Sequence, residues 1–177
     1  MGQTGPPRKM KLIRKFIGGQ EKPPARSDLK KILISALSVG LVIAGLTYVD
    51  REIGTLVLLG TFGATTFIVF AYPDSPFAQP RNVLGAHIIG ATMGLSCLKF
   101  IGPQWWSLGI AVGLTVLFMK LLRVVHPPAT SNPIVVFLTN PTWFFLLCPT
   151  IAGALIIVFL ALFYHNMSRE SNWPTYW

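Results

Sequence analysis

Acidic side chains are what this sequence has least of: six among 177 residues, set against 15 Lys and Arg. Charged residues of both signs make up 12% of the chain, about half the share usual in a soluble domain. None of the six acids (Glu21, Asp28, Asp50, Glu52, Asp74, Glu170) falls inside a long apolar segment. No buried carboxylate pair is then available for acid–base work, so the chain is not expected to be an enzyme. Cysteine is nearly absent too: Cys97 and Cys148 both lie in apolar runs and read as buried thiols, which excludes a disulfide scaffold. His87, His126 and His165 have no local carboxylate to complete a metal site. No Gly-rich phosphate loop, nucleophile elbow or Cys-x-x-Cys occurs, and no cofactor is expected.

What the chain does have is apolar length, with 52% of its residues hydrophobic. A bilayer core about 30 Å thick needs roughly 20 such residues as helix. By that rule residues 32–49, 55–72, 83–101, 106–122 and 143–164 are five long spans. Residues 127–139 are apolar but short, and Pro127, Pro128 and Pro133 interrupt them. That piece reads as a broken or re-entrant helix. The fold class is therefore an all-α, polytopic transmembrane helix bundle, with Asp50, Arg51 and Glu52 as a polar link after the first span. Tyr48, Tyr72, Trp105, Trp106, Trp143 and Tyr164 fall near the proposed boundaries, as in an aromatic belt. Gly90 and Gly94, and Gly109 and Gly113, set small residues on one helix face for close packing.

The positive charge is concentrated at one end. Nine of the 15 basic residues precede residue 32, and that stretch carries seven of the nine net positive charges. A basic chain raises nucleic acid as a partner, but aromatics are not interleaved in this stretch beyond Phe16, and the chain after it is oily. The bilayer is the expected partner, and a second copy of the chain is a partner the sequence allows. The positive-inside rule puts the N-terminus on the cytoplasmic side of a cell membrane, or the stromal side of a plastid membrane. Residues 1–30 read as a basic tail, with 1–26 disordered because of their prolines and glycines. The tail sets topology or binds anionic lipid. It is poor in Ser for a transit peptide and has Pro6 where myristoylation needs Ser or Thr. Residues 31–167 form the membrane domain and 168–177 a C-terminal tail.

An internal echo links Gly63, Ala64, Thr65, Thr66 and Phe67 to Pro128, Ala129, Thr130, Ser131 and Asn132. Each run turns apolar and leads through a Pro-containing loop to a Gly/Ala-rich span. A 3+3 inverted repeat, which sets substrate at interrupted helices near the midplane, and chance similarity fit equally. Two constellations could carry chemistry. In the first, Pro127 and Pro128 open a new helix turn beside His126, Thr130 and Ser131, a positive dipole end that attracts small anions. Arg123, three residues ahead of His126 on a helix, adds charge. A structural kink satisfies the same spacing. In the second, Arg81 and Asn82 sit at the start of a span, with His87 five residues inside it. Arg81 alone would mark the interface, and His87 alone would suit a buried imidazole bonded to a carbonyl.

These two segments resemble the HPP family of small integral membrane proteins, named for the His-Pro-Pro tripeptide that His126, Pro127 and Pro128 reproduce. The run from Ser75 to His87 looks like the family's second signature, and the residues from Phe144 to Ala154 and Leu162 to Asn166 extend the likeness over about 30–167. The resemblance implies a polytopic protein, usually described with four membrane helices, and nitrite transport, the activity of cyanobacterial and chloroplast members. The family commonly continues its tripeptide with Ala-Gly-Ala, where this chain has Ala129, Thr130 and Ser131. The added hydroxyls bear on selectivity. The expectation is a transporter or channel for a small inorganic anion, nitrite first. Arg123, His126, Thr130 and Ser131 would line one side of its path, and Arg81, Asn82 and His87 the other. Thr65 and Thr66 would come from the echo. Protonation of His126 would help admit the anion and couple uptake to pH. The alternative is a structural or assembly subunit whose signatures are packing motifs, told apart by whether those side chains meet in a wet cavity or in dry contacts.

Overall fold

In a computed structural model, residues 22–53, 59–168 and 172–177 are described. Most of the basic tail, the link at 54–58 and residues 169–171 therefore lie outside the described residues, including 1–21 of the stretch 1–26 expected to be disordered. Among the described residues every regular element is helical: α1 (Leu29–Ile53), α2 (Gly60–Ala71), α3 (Pro80–Phe100), α4 (Trp105–Leu121), α5 (Asn132–Thr139) and α6 (Ala152–Ser168). Short 3-10 turns cover Pro76–Ala78 and Pro127–Ser131, and an irregular wide turn, Leu146–Ile151, leads into α6.

Among the described residues, three helical stretches are long and apolar enough to cross a membrane: Leu29–Glu52, Pro80–Phe100 and Leu146–Ser168. Of the other two long spans expected from sequence, α2 and α4 have 12 and 17 described residues, and residues 55–58 of the expected 55–72 span lie outside the described residues, so five spans are not established. At 1.5 Å per residue α3 extends about 31 Å, one bilayer core. The polar link at Asp50, Arg51 and Glu52 is not a break, because α1 continues through it to Ile53. The last span is broken where a straight helix was expected. Cys148 takes extended angles (φ −134°, ψ 122°) ahead of Pro149, which cannot serve a helix interior, and its side chain is half-buried.

The elements alternate in direction. Residues 72–79, 122–126 and 172–177 share one end, the loop end, where Tyr176 reaches Pro76 and Arg81 reaches Leu122. The opposite end is tied by Lys99 Nζ donating to Asn140 Oδ1 at 3.1 Å. The core lies between α2, α3, α5 and α6, around Phe62, Val83, Leu95, Val136 and Ile157, all fully buried. α1 packs on this core through Val42 and Leu46, while Leu33, Leu37 and Leu41, four residues apart, remain 60%, 64% and 64% exposed. Such a stripe belongs in lipid.

Gly90 and Gly94 do what their spacing implies. A Cβ on Gly90 would run into the Ala129 carbonyl, and one on Gly94 would lie 2.8 Å from Pro133 Cα, so this face of α3 receives the chain from Pro127 to Val136 against bare backbone. Gly109 and Gly113 do not, since nothing lies within 4 Å of either Cβ position.

Candidate functional site

Four polar side chains from four segments meet at the core of the bundle, toward its loop end. Thr65 comes from α2, His87 from α3, His126 from the residue that caps the Pro127–Ser131 turn, and Asn132 from the start of α5. All four are fully buried. Thr65 Oγ1 lies 2.9 Å from His87 Nε2 and 3.0 Å from His126 Nε2, and so bridges the two rings. The rings stand 5.4 Å apart by centroid, with the edge of Phe62 against His87.

The partners at the two ends fix the direction of this chain. His126 Nδ1 is 2.7 Å from the Phe77 carbonyl, which only accepts, so Nδ1 carries the hydrogen. In the neutral ring Nε2 is then an acceptor. At the other end Asn132 Nδ2 is 3.0 Å from both His87 Nδ1 and the His87 carbonyl oxygen. Turning the amide over would set oxygen against oxygen, so the NH2 donates to both, and His87 carries its hydrogen on Nε2. With both rings neutral, Asn132 donates to His87, His87 to Thr65, Thr65 to His126 and His126 to Phe77. Every nitrogen of both rings is satisfied.

Above this chain lies a cap. Gln79, fully buried, donates from Nε2 to the Pro73 and Ser75 carbonyls and accepts from Thr175 N–H at 2.9 Å. Asn82 Nδ2 lies 2.8 Å from the Pro76 carbonyl, 3.2 Å from the Val125 carbonyl and 3.2 Å from the Tyr176 hydroxyl. Trp173 is buried against the His165 ring, and its backbone exchanges two hydrogen bonds with the Asn166 side chain. The C-terminal tail is thus packed onto the Ser75-to-His87 signature.

Beside the cap a recess of about 350 Å3 opens between Phe77, Asn82, Lys120, Arg123 and Tyr176. Its cations come from the end of α4. Arg123 N–H bonds Lys120 O and Val124 N–H bonds Met119 O, the paired bonds of a Schellman cap, which places Arg123 at φ 58°. Arg81, also exposed, donates to the Leu122 carbonyl at 3.4 Å next to this cap. A larger groove of about 910 Å3 lies between α1 and α2 with α6, and none of the residues predicted as a site lines it.

The sequence-predicted residues therefore divide. Thr65, His87 and His126 are brought together. Asn82 joins the cap, while Arg81 and Arg123 form the charged rim. Arg123 does not share a helix with His126, because α4 ends before it. Thr66 turns away and donates to the Phe62 carbonyl at 2.6 Å. Thr130 bonds its own turn, Oγ1 to the Pro127 carbonyl at 2.7 Å, and neither it nor half-buried Ser131 reaches the histidines. The turn expected to present free N–H groups is a 3-10 turn opened by two prolines, with Ala129 N–H already bonded to His126 O. Asn132, Gln79 and Tyr176 were not predicted. Asn132, within the echo, and Gln79, within the Ser75-to-His87 run, had a sequence signal, and Tyr176 had none.

The fold and its lipid-facing stripes define an integral membrane protein built as a helical bundle. The chain belongs to the HPP family, since the family described as HPP, transmembrane region, matches residues 24–174. It is similar to two transmembrane proteins of Dictyostelium discoideum, 32% and 28% identical over 95% of this chain in each case. The matches take in 58% and 64% of those proteins, so the chain spans about three fifths of the length of these relatives. No solved structure matches it.

Proposed function

We propose that this chain transports a small inorganic anion, with nitrite the first substrate to test. The observation that carries the reading is the recess at the loop end, where Lys120 and Arg123 stand over a segment whose Phe77 carbonyl is the terminus of the histidine chain. Among the described residues that line that recess, two are cations and none is a carboxylate.

Two further features support the reading. The halves of the chain run long, short, long: 25, 12 and 21 residues in α1 to α3, then 17 in α4, 8 in α5 and 17 in α6. The first half starts at the loop end and the second at the opposite end, the arrangement of an inverted repeat. Lys30, Lys31, Arg81, Lys120 and Arg123 share the loop end, which favours placing that end on the cytoplasmic or stromal side. One observation favours a second reading, a structural subunit: both histidine rings have every nitrogen paired and no exposed surface.

Flux decides between them. Protein reconstituted in liposomes should carry nitrite faster than nitrate or chloride, and Arg123→Ala, Arg81→Ala and His126→Ala should each reduce that flux. Flux equal to that of empty liposomes, or unchanged in all three variants, leaves the structural reading.

A further inference from the structure

We propose that the His87–Thr65–His126 chain is a binding site for a single proton, taken up on His126 Nε2, with the Thr65 hydroxyl as the switch. The proposal rests on the transport reading only where it names what the proton drives. Thr65 Oγ1 has one hydrogen and two acceptors for it, His126 Nε2 at 3.0 Å and the Thr61 carbonyl at 3.1 Å. While His126 is neutral, its Nε2 lone pair needs that hydrogen. Once a proton forms an N–H bond there, Nε2 becomes a donor, and the hydroxyl turns to Thr61. Thr65 oxygen then accepts from both rings and donates to Thr61, which fills its valence. No heavy atom has to move.

His87 is not equivalent. Its free position is Nδ1, and a proton there would face the Asn132 NH2, which the His87 carbonyl holds in place. Two charged rings sharing one hydroxyl would also repel, so the pair holds one proton.

The ionisable groups around the pair fit a coupled site. From α6, His165 bonds the Val69 carbonyl, one turn along α2 from Thr65. From the cap comes Tyr176, and at the rim Lys120, Arg123 and Arg81. α2 to α6 carry no carboxylate; Asp74 is on the loop before Pro76, and Asp50 and Glu52 are at the far end of α1. Positive charge at the rim opposes a proton on His126, and an anion in the recess relieves that opposition. Each ligand therefore raises the affinity of the other. One proton with one monovalent anion makes transport electroneutral.

The test uses full-length protein with 15N-labelled histidine, in lipid nanodiscs, titrated by NMR from about pH 4 to 9. His126 should pass from the neutral Nδ1–H form to the doubly protonated form, with His87 remaining the Nε2–H form. Thr65→Val should abolish or shift that titration, and Thr65→Ser should restore it. Titration of His87 first, of both rings together, or of neither overturns the proposal. In proteoliposomes an inward proton gradient should drive nitrite uptake, and Thr65→Val should lower it about tenfold, the effect of one charge-assisted hydrogen bond. Uptake that follows membrane potential and ignores the proton gradient sinks the coupling and leaves transport standing. A His126 titration without any anion flux does the reverse.

Discussion

Arg123 occupies a backbone position that most helix ends give to glycine. At φ 58° its Cβ crowds the backbone, a cost of about 1–2 kcal/mol that glycine avoids. A charge kept at that cost, on the rim of the recess beside the histidine chain, makes Arg123 a position at which the transport proposal can be tested. Arg123→Gly should therefore leave thermal stability in detergent unchanged or raise it by up to about 1 kcal/mol, while nitrite flux falls. A loss of both would make Arg123 structural. Thr65→Val should cost about 2 kcal/mol, because two buried Nε2 atoms lose their partner, and Thr65→Ser should cost less; melting curves of the two read this. The histidines were legible in the sequence as ionisable groups beside prolines and inside a span. Their partnership was not, since Thr65 and Asn132 lie 22 and 45 residues from His87 and only the fold brings them to it.

Among the helices, the contact that positions the site is α3 against the segment from Pro127 to Val136. Gly90 and Gly94 allow it, and with it the approach of Asn132 to His87. Gly94→Ala should destabilise the protein by about 2 kcal/mol or more, since the methyl meets backbone that cannot yield. Gly109→Ala, which meets nothing, should be neutral or slightly stabilising because alanine is the better helix former. Equal melting temperatures for the two variants would contradict this packing. The spacing in sequence is the same for both glycine pairs, so it could not say which one faces a neighbour. The breaks at Pro127 and Pro128 were readable, because two prolines end a helix wherever they fall. The break at Cys148 was not, because the single Pro149 sits within an otherwise continuous apolar run.

Across the whole molecule, the C-terminal residues close the loop end. Trp173, Thr175 and Tyr176 join the last turn of α6 to Gln79 and Asn82, so the second signature is held from both sides. Trp173→Ala should cost about 3–5 kcal/mol, a core-sized loss from a residue four places from the end of the sequence, checked by thermal unfolding in detergent. The likeness to the family seen in the sequence stopped at about residue 167, whereas the family match extends to 174 and takes in Trp173. Short polar segments carry no hydrophobic period, so their docking is visible only once their partners are placed.

Whether the cations at the loop end serve an anion path above the histidine chain is decided by initial rates of nitrite uptake. Wild-type protein and a Lys120→Gln/Arg123→Gln variant of matched melting temperature are compared in the same liposomes. Saturable uptake by the wild type, at least about tenfold slower in the variant, is the expected outcome. Equal rates, or none above protein-free liposomes, would refute the anion path.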